Sequence, residues 1–372
     1  MILKKIELYN FRNYSKEIIS FSNNINIFVG NNAQGKTNIL ESIYVLAITK
    51  SHRILFDNDL IKRGADFFRI KGEIENQKKT NTLEIVCKDS TKTVKINGNE
   101  IKKLSDYIST LNIIMFCPDD LTIIKGPPSV RRNYINVQLG QISKKYIQIL
   151  SEYNKILKIR NEYLKKIVKK EKKDTRYLDI ITDELIKRAI KIYMIRGKFI
   201  KDVNKNIASI YKNITGNEGL KIEYKTFPSG LNIDEGAEME LKETFTENYD
   251  REIMQGKTLY GPHKDEIIFI LNGEDLKTFG SQGQQRTAVI SFKIAEISIF
   301  KNSTGNYPIL LLDDIFSELD SIKTNNLLSY IKGEYQTIMT TTDLKNINKK
   351  ILNKATVFNT ENGKVIKNQE VI

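Results

Sequence analysis

The chain of 372 residues has two cysteines and two histidines. Cys87 and Cys117 stand alone, without the paired spacing that holds a metal or runs a redox couple. His52 and His263 lie far apart and make no metal site, and no Cys-His or Ser-His-Asp nucleophile can be argued. No apolar run approaches the ~18 residues that a membrane-crossing helix needs. The opening Met1-Ile2-Leu3-Lys4-Lys5-Ile6-Glu7 lacks the uninterrupted apolar core of a secretory leader. A cytoplasmic protein without a membrane partner is the expectation. Internal repeats and low-complexity tracts are absent too.

Positive charge is abundant. Lys+Arg less Asp+Glu is 59 − 45, or +14, and the pI is near 9.3. That balance points to a polyanionic partner, nucleic acid before membrane. An AT-rich genome would also raise lysine, but it would not sort charge along the chain. Between Lys144 and Arg176 there are twelve basic and four acidic residues, a local +8. Between Asp234 and Glu252 there are eight acidic and two basic, a local −6. Placement of this kind favours an electrostatic role.

Gly30-Asn31-Asn32-Ala33-Gln34-Gly35-Lys36-Thr37 fits the phosphate-loop pattern G-x-x-x-x-G-K-[ST]. Its flanks fit as well. Ile25-Asn26-Ile27-Phe28-Val29 suits a buried strand, and Asn38 to Leu46 carries apolar residues at helical spacing. In such a loop the backbone N–H groups curl around phosphate oxygens at the positive end of a helix. Lys36 would neutralise the β and γ phosphates, and Thr37 would hold magnesium. The pattern predicts a nucleoside triphosphate site with Mg2+, and by itself leaves kinases, GTPases and motor ATPases open.

The first ~125 residues read as strand-rich α/β, with a hairpin at Asn97-Gly98 and a buried strand over Leu111 to Phe116. From Gln141 to Arg196 there is neither glycine nor proline. Ile142, Ile149, Ile156 and Tyr163 recur every seven residues, which predicts a helix with one apolar stripe. Val168 to Arg176 reads as a turn, and a second helix resumes from Tyr177 to about Tyr211. Two such antiparallel helices form an arm of ~40 to 50 Å. Its tyrosines fall on seam positions, so they read as core rather than as a base-stacking platform. The organisation predicted is a nucleotide-binding head over residues 1–125 and 256–372, split by a helical lobe over 126–255.

Two later motifs narrow the chemistry. Ile309-Leu310-Leu311-Leu312-Asp313-Asp314 is an apolar strand ending in two carboxylates. Asp313 fits a magnesium-holding role there, and Asp314 the residue that polarises attacking water, with Lys36 as its catalytic companion. Gly280-Ser281-Gln282-Gly283-Gln284-Gln285-Arg286 opens a helix and offers a second anion-binding edge. One triphosphate does not need two such edges from one chain. Ser281, Gln282 and Gly283 are therefore expected to cover the γ-phosphate bound by a second copy.

This ordered set resembles ABC-type ATPase heads, with Ser281 to Gln285 matching their signature motif and Ser317-Glu318-Leu319-Asp320 matching the loop that crosses their dimer interface. Nearly the whole chain resembles the RecF family of bacterial recombinational repair proteins. The matching residues include Phe11-Arg12-Asn13-Tyr14, Gly35 to Glu41, Lys50-Ser51-His52-Arg53 and Phe116 to Leu121. They continue through Gly126-Pro127-Pro128-Ser129-Val130-Arg131-Arg132, Gly261-Pro262-His263-Lys264-Asp265 and Leu311 to Asp320. The resemblance implies an ABC-type head carrying a short antiparallel helical arm. It also implies an ATP-dependent homodimer that binds DNA at single-strand gaps or junctions and helps load RecA with RecO and RecR. Two departures point to slow hydrolysis. Pro118, Asp119 and Asp120 stand where such heads carry Gln, and Thr340-Thr341-Thr342-Asp343 stands where they carry a switch His.

Some residues admit two readings. Arg131 and Arg132 either form salt bridges or contact DNA phosphate. Arg12 either touches adenine or ribose or is an exposed hairpin residue, and His263 either packs a turn or meets ligand. A transporter subunit and an SMC-like scaffold share the head; the basic arm and split head argue against the first, and the shortness of the arm against the second.

Overall fold

The computed structural model describes residues 1–77, 79–169, 175–233, 236–315, 323–324, 326–327, 330, 335–345 and 347–368. Two compact units partition the chain. One comprises 1–120, 209–217 and 289–372, the other 121–208 and 218–288. The boundaries thus fall at 120/121 and 288/289, where the sequence reading placed 125/126 and 255/256. Residues 256–288, including Ser281, pack with the helical unit.

The first unit holds two six-stranded sheets. One orders its strands Lys364–Lys367, Ala355–Glu361, Ile25–Val29, Thr337–Thr341, Ile309–Asp313 and Ile113–Phe116. From Ala355–Glu361 to Ile113–Phe116 all neighbours are parallel. Parallel strands are covered on both faces and read as continuous apolar runs, as Ile309–Leu312 and Ile113–Phe116 do. Phe28 and Phe358 stack at 4.8 Å across neighbouring strands. The other sheet is antiparallel, with Ile2–Phe11 between Tyr14–Ser20 and Phe67–Asn76. Its hairpin at Asn97-Gly98 has φ of 51° and 83°, the left-handed pair that this dipeptide favours.

Helix Lys36–Ile48 touches strands of both sheets, which explains why all but three of its 13 residues are buried. Gly35 caps it at φ 108°, a conformation that L side chains rarely adopt.

The second unit is built on helices Pro128–Ile142, Lys144–Val168 and Arg176–Asn204, with a small sheet in the order Glu274–Asp275, Glu266–Leu271 and Leu220–Lys225. The stripe from Ile142 is interrupted where Ser143 leaves helical geometry and its hydroxyl accepts from the Tyr146 N–H. Ile142 therefore ends one helix instead of starting the next. The two arm helices run 25 and 29 residues, about 38 and 44 Å. The second ends at Asn204, and a separate helix covers Ile207–Thr215. Most of the turn expected over 168–176 lies outside the described residues. Tyr146, Tyr153 and Tyr163 are buried.

The arm is not freestanding. Helices Ala237–Glu247 and Tyr249–Gln255, from the acidic stretch, pack along it. Arg160 shows how. Its Nη2 donates to Glu252 Oε2 at 2.6 Å, Nε to Thr182 and Nη1 to Thr258, and its guanidinium lies over the Phe245 ring. Both ionic partners are almost fully buried. Among the described residues no helix is long and apolar enough to cross a membrane.

Removing one partner of a fully buried ion pair leaves an uncompensated charge. Glu252→Ala should destabilise the helical unit by roughly 3–5 kcal/mol, read as a shift of its denaturant-unfolding midpoint. Glu184→Ala, at an exposed arm pair, should leave that midpoint nearly unchanged.

Candidate functional site

The C-terminal ends of the parallel strands gather the residues that the motifs singled out. Ile25–Val29 runs into the loop from Gly30 to Thr37, and Ile309–Asp313 ends one strand away, with Thr337–Thr341 between them. Register puts Thr340 opposite both Phe28 and Asp313.

Thr37 Oγ1 donates to Asp313 Oδ1 at 2.8 Å, and Thr340 Oγ1 donates to the same oxygen at 2.8 Å. Thr340 also accepts the Asp314 N–H at 3.0 Å. Asp314 sits at φ 46°, a left-handed conformation that turns the chain sharply out of the strand. Burial pushes the Asp313 carboxyl above its usual range, with the two threonine hydroxyls pulling the other way. Lys36 Nζ donates to the carbonyls of Gly30 at 2.6 Å and Asn31 at 2.7 Å, so the ammonium lies inside the loop. Burial pulls this ammonium below its ordinary pKa, opposed by the charges of Asp314 and Asp313.

Hydroxyl and carboxylate oxygens are the hard donors that magnesium prefers. Thr37 gives its proton to Asp313 and keeps its lone pairs for a cation. The donor set fits Mg2+ beside a triphosphate. At the start of helix Lys36–Ile48 the Asn38 and Ile39 N–H groups donate to Gly35 O, and those of Lys36 and Thr37 precede the helical hydrogen bonds.

The loop is clasped from outside. Gln34 O accepts from Asn13 Nδ2 and from the Gly363 N–H, while Gln34 Oε1 accepts the Asn362 N–H at 2.6 Å. Tyr14 OH donates to Gly35 O. A Cβ on Gly30 would meet Thr360 O at 2.3 Å, and one on Gly35 would meet Asn13 Nδ2 at 2.5 Å. Asn31, Asn32 and Ala33 form the exposed rim, Ala33 at φ 65°.

Ser281 and Gln284 make a reciprocal cap. Ser281 Oγ accepts the Gln284 N–H at 3.3 Å, and Gln284 Oε1 accepts the Ser281 N–H at 2.8 Å. Ser281, Gln282 and Gly283 are exposed at the start of helix Gln282–Thr304, and a Cβ on Gly283 would meet nothing within 4 Å. The interface loop expected at Ser317 to Asp320 lies outside the described residues.

Burial and hydrogen bonds place the residues that admitted two readings. Arg131 is 5% exposed and pairs with Glu266 at 2.8 Å while also donating to the carbonyls of Ile123, Ile124 and Gly126. It faces inward as a salt bridge, out of reach of a DNA phosphate in this conformation. Arg132 donates to Asp265 O at 2.7 Å and is only half-buried. Arg12 is part-buried instead of exposed: its guanidinium forks onto Glu41, with two contacts of 2.8 Å. Ser51 donates to Glu41 at 2.6 Å, and Arg53 lies at 4.0 Å. His263 packs against Tyr153, with Nδ1 2.6 Å from its hydroxyl, and burial lowers its pKa to about 4. Asp120 accepts from the Cys117 N–H and from Lys293 Nζ, which is buried over the Phe116 ring.

The sequence matches the family described as RecF/RecN/SMC N terminal domain over residues 2–366. The DNA replication and repair protein RecF of Pediococcus pentosaceus is 41% identical, with 100% of both chains covered. Its namesake from a Geobacillus species is 43% identical over 98% of each chain. A solved structure of the recombination mediator protein RecF with ATP in the RecFOR pathway superposes with a TM-score of 0.90. It is 30% identical, covering 98% of this chain and 97% of that one. An SMC head bound to the C-terminal winged-helix domain of ScpA superposes at 0.55 with 17% identity, covering 99% and 98%, a likeness of fold alone.

Burial alone would raise the Glu41 carboxyl, but hydrogen bonds from Arg12 and Ser51 and the charges of Arg12 and Arg53 outweigh it and hold the pKa below its ordinary value. The stability contributed is therefore complete above the unfolded value of about 4.3 and lost as pH falls through the lower folded value. Glu41→Gln should lower the unfolding midpoint at pH 7, and its deficit against the parent should shrink below about pH 4. A deficit independent of pH would mean that packing, not charge, is what Glu41 supplies.

Proposed function

The chain belongs to the RecF family of DNA replication and repair proteins, and on that premise we propose that it is an ATP-switched DNA-binding protein of recombinational repair. The observation that carries the reading is the convergence of Lys36, Thr37 and Asp313 at one edge of the parallel sheet, with Thr37 and Asp313 2.8 Å apart.

In this reading Gly30, Asn31, Asn32, Ala33, Gln34 and Gly35 wrap the triphosphate with backbone N–H groups. Lys36 turns from its two carbonyl partners to the β and γ phosphates. Thr37 and Asp313 hold Mg2+, which when bound neutralises charge between the phosphates. Asp314, fixed by the Thr340 hydroxyl, orients the attacking water and withdraws its proton. Thr340 is uncharged at any working pH and cannot serve as the switch base that a histidine would. Hydrolysis is accordingly slow and acts as a timer for release.

Ser281, Gln282 and Gly283 of one copy close on the γ-phosphate held by another, so ATP favours a homodimer by binding it more tightly. The pair clamps DNA through phosphate contacts, at single-strand gaps or junctions, and acts with RecO and RecR to load RecA. The ATP-bound RecF structure supports nucleotide binding, and its place in the RecFOR pathway supports the mediator partners. The burial of Arg131 and Arg160 moves the DNA-facing charge to the exposed lysines of the arm and to Arg132.

Lys36→Ala should abolish binding of a fluorescent ATP analogue while the far-UV spectrum is kept, because the ammonium bonds only within the loop; unchanged affinity would remove the nucleotide site. Ser281→Arg should bind ATP with parental affinity yet sediment as a monomer with ATP present. Asp314→Asn, which leaves Asp313 to hold magnesium, should accumulate as a dimer. An ATP-stabilised dimer of Ser281→Arg would refute the shared site.

A further inference from the structure

The helical unit holds a cleft of about 180 Å³ that the nucleotide site does not use. Helix Pro128–Ile142 lines it with Ser129, Arg132 and Asn133; Asn154 and Arg196 come from the arm helices, and His263 from the turn after Gly261. It lies where two sequence motifs left without a role, Gly126 to Arg132 and Gly261 to Asp265, are drawn together.

Two guanidinium groups line this cleft, and they are in different states. Arg196 is fully engaged. Its Nη1 donates to Asp265 Oδ2 at 2.8 Å and Pro262 O at 2.6 Å, Nη2 to Asn136 Oδ1 at 2.9 Å and Nε to Tyr146 OH at 3.2 Å. Asp265 also accepts from Tyr224 OH and the Phe227 N–H, so its carboxylate is saturated. Arg132 reaches only the backbone carbonyl of Asp265, its one hydrogen bond to the described residues. Five N–H donors in a planar fork are therefore mostly unspent. Burial, and next the charge of Arg196, pull its ionisation below the ordinary value, against the opposing charges of Asp265 and Glu266. A half-desolvated cation beside a second cation is a state that a bound anion relieves.

Of the other lining residues, Leu150, Ile192 and Pro262 are apolar, both His263 nitrogens are engaged by Tyr153 and Thr258, and Ser129, Asn133 and Asn154 offer a hydroxyl and amides; none is a carboxylate. Ser129 also stands in the first turn of a 15-residue helix, at its positive end. A guanidinium fork matches phosphate oxygens in geometry as well as in charge.

We propose that this cleft is a second phosphate-binding site, separate in its residues from the phosphate loop, in which Arg132 grips the oxygens of a phosphate group. The phosphate is either that of a nucleic-acid backbone or a free one; only the choice between those donors rests on the DNA-binding reading above.

The experiment uses the full chain carrying Lys36→Ala, so that phosphate effects at the loop are removed. Thermal unfolding is followed with inorganic phosphate against chloride at equal ionic strength. Phosphate should raise the midpoint of Lys36→Ala in a saturable way, and the saturable part should vanish on adding either Arg132→Gln or Asn154→Asp. Asn154 is exposed, so its replacement sets a negative charge at the rim without removing an internal bond. It decides the question if the Arg132 variant does not fold. General salting effects are common to all three proteins and cancel. A saturable shift that survives Asn154→Asp, or no saturable shift in the parent, overturns the proposal. Anisotropy on single-stranded DNA against salt, with Lys36 intact and ATP present, then separates the donors. Loss of one backbone contact in Asn154→Asp flattens the log–log slope by about 0.7 and assigns a nucleic-acid phosphate, while an unchanged slope beside a lost phosphate shift assigns a free one. Because Lys36 is replaced in the unfolding experiment, failure of the nucleotide reading leaves the phosphate-shift outcomes unaffected.

Discussion

A carboxylate buried at the end of a parallel strand is unfavourable unless something answers its charge, and the sheet edge is arranged around one. Asp313 is 6% exposed and has two hydroxyls on a single oxygen but, among the described residues, no ion-pair partner. Threonines on the two flanking segments supply those hydroxyls, so strand order, loop conformation and the turn at Asp314 all serve one oxygen atom. Hydroxyl donors soften the burial of charge without cancelling it. The site is thereby poised for a hard cation, and the helix between the two sheets fixes Thr37 where that cation would sit.

Local features were readable from the sequence because each is written in neighbouring residues. The loop glycines, the strand before them, the Asn97-Gly98 hairpin, the Asp313-Asp314 ending and the Ser281 cap all depend on spacings of a few positions. What escaped depended on distant partners. Arg131 and Arg132 are adjacent and chemically identical, yet one is buried on Glu266 and the other half-free, because consecutive positions on a helix face different neighbours. Arg160 counted toward a basic arm until Glu252, far along the chain, proved to neutralise it. The stop at Ser143 has no glycine or proline to announce it, only a hydroxyl that can cap. Thr340 could have been suspected: a buried strand ending in consecutive threonines carries hydroxyls that need partners.

Buried arginines are the recurring device of the helical unit. Arg131, Arg160 and Arg196 each pair with an acid and also donate to backbone or hydroxyl oxygens. Such pairs add little net stability over apolar packing, but they penalise any arrangement that leaves a partner unmatched. Lys, with a single point charge, could not bridge three or four acceptors in fixed directions. A count of basic residues consequently overstates the charge that the unit shows to solvent.

The clasp on the phosphate loop has a consequence for how the protein is made. The turn at Gln34 is closed by N–H groups of Asn362 and Gly363, and Gly30 rests against the Thr360 carbonyl. Loop and clasp are 328 positions apart in sequence. The loop therefore acquires its final shape only after the chain through Gly363 has been made, and products cut short of it lack the groups that finish it. Products cut short of Asn362 are thus handicapped at the phosphate loop itself.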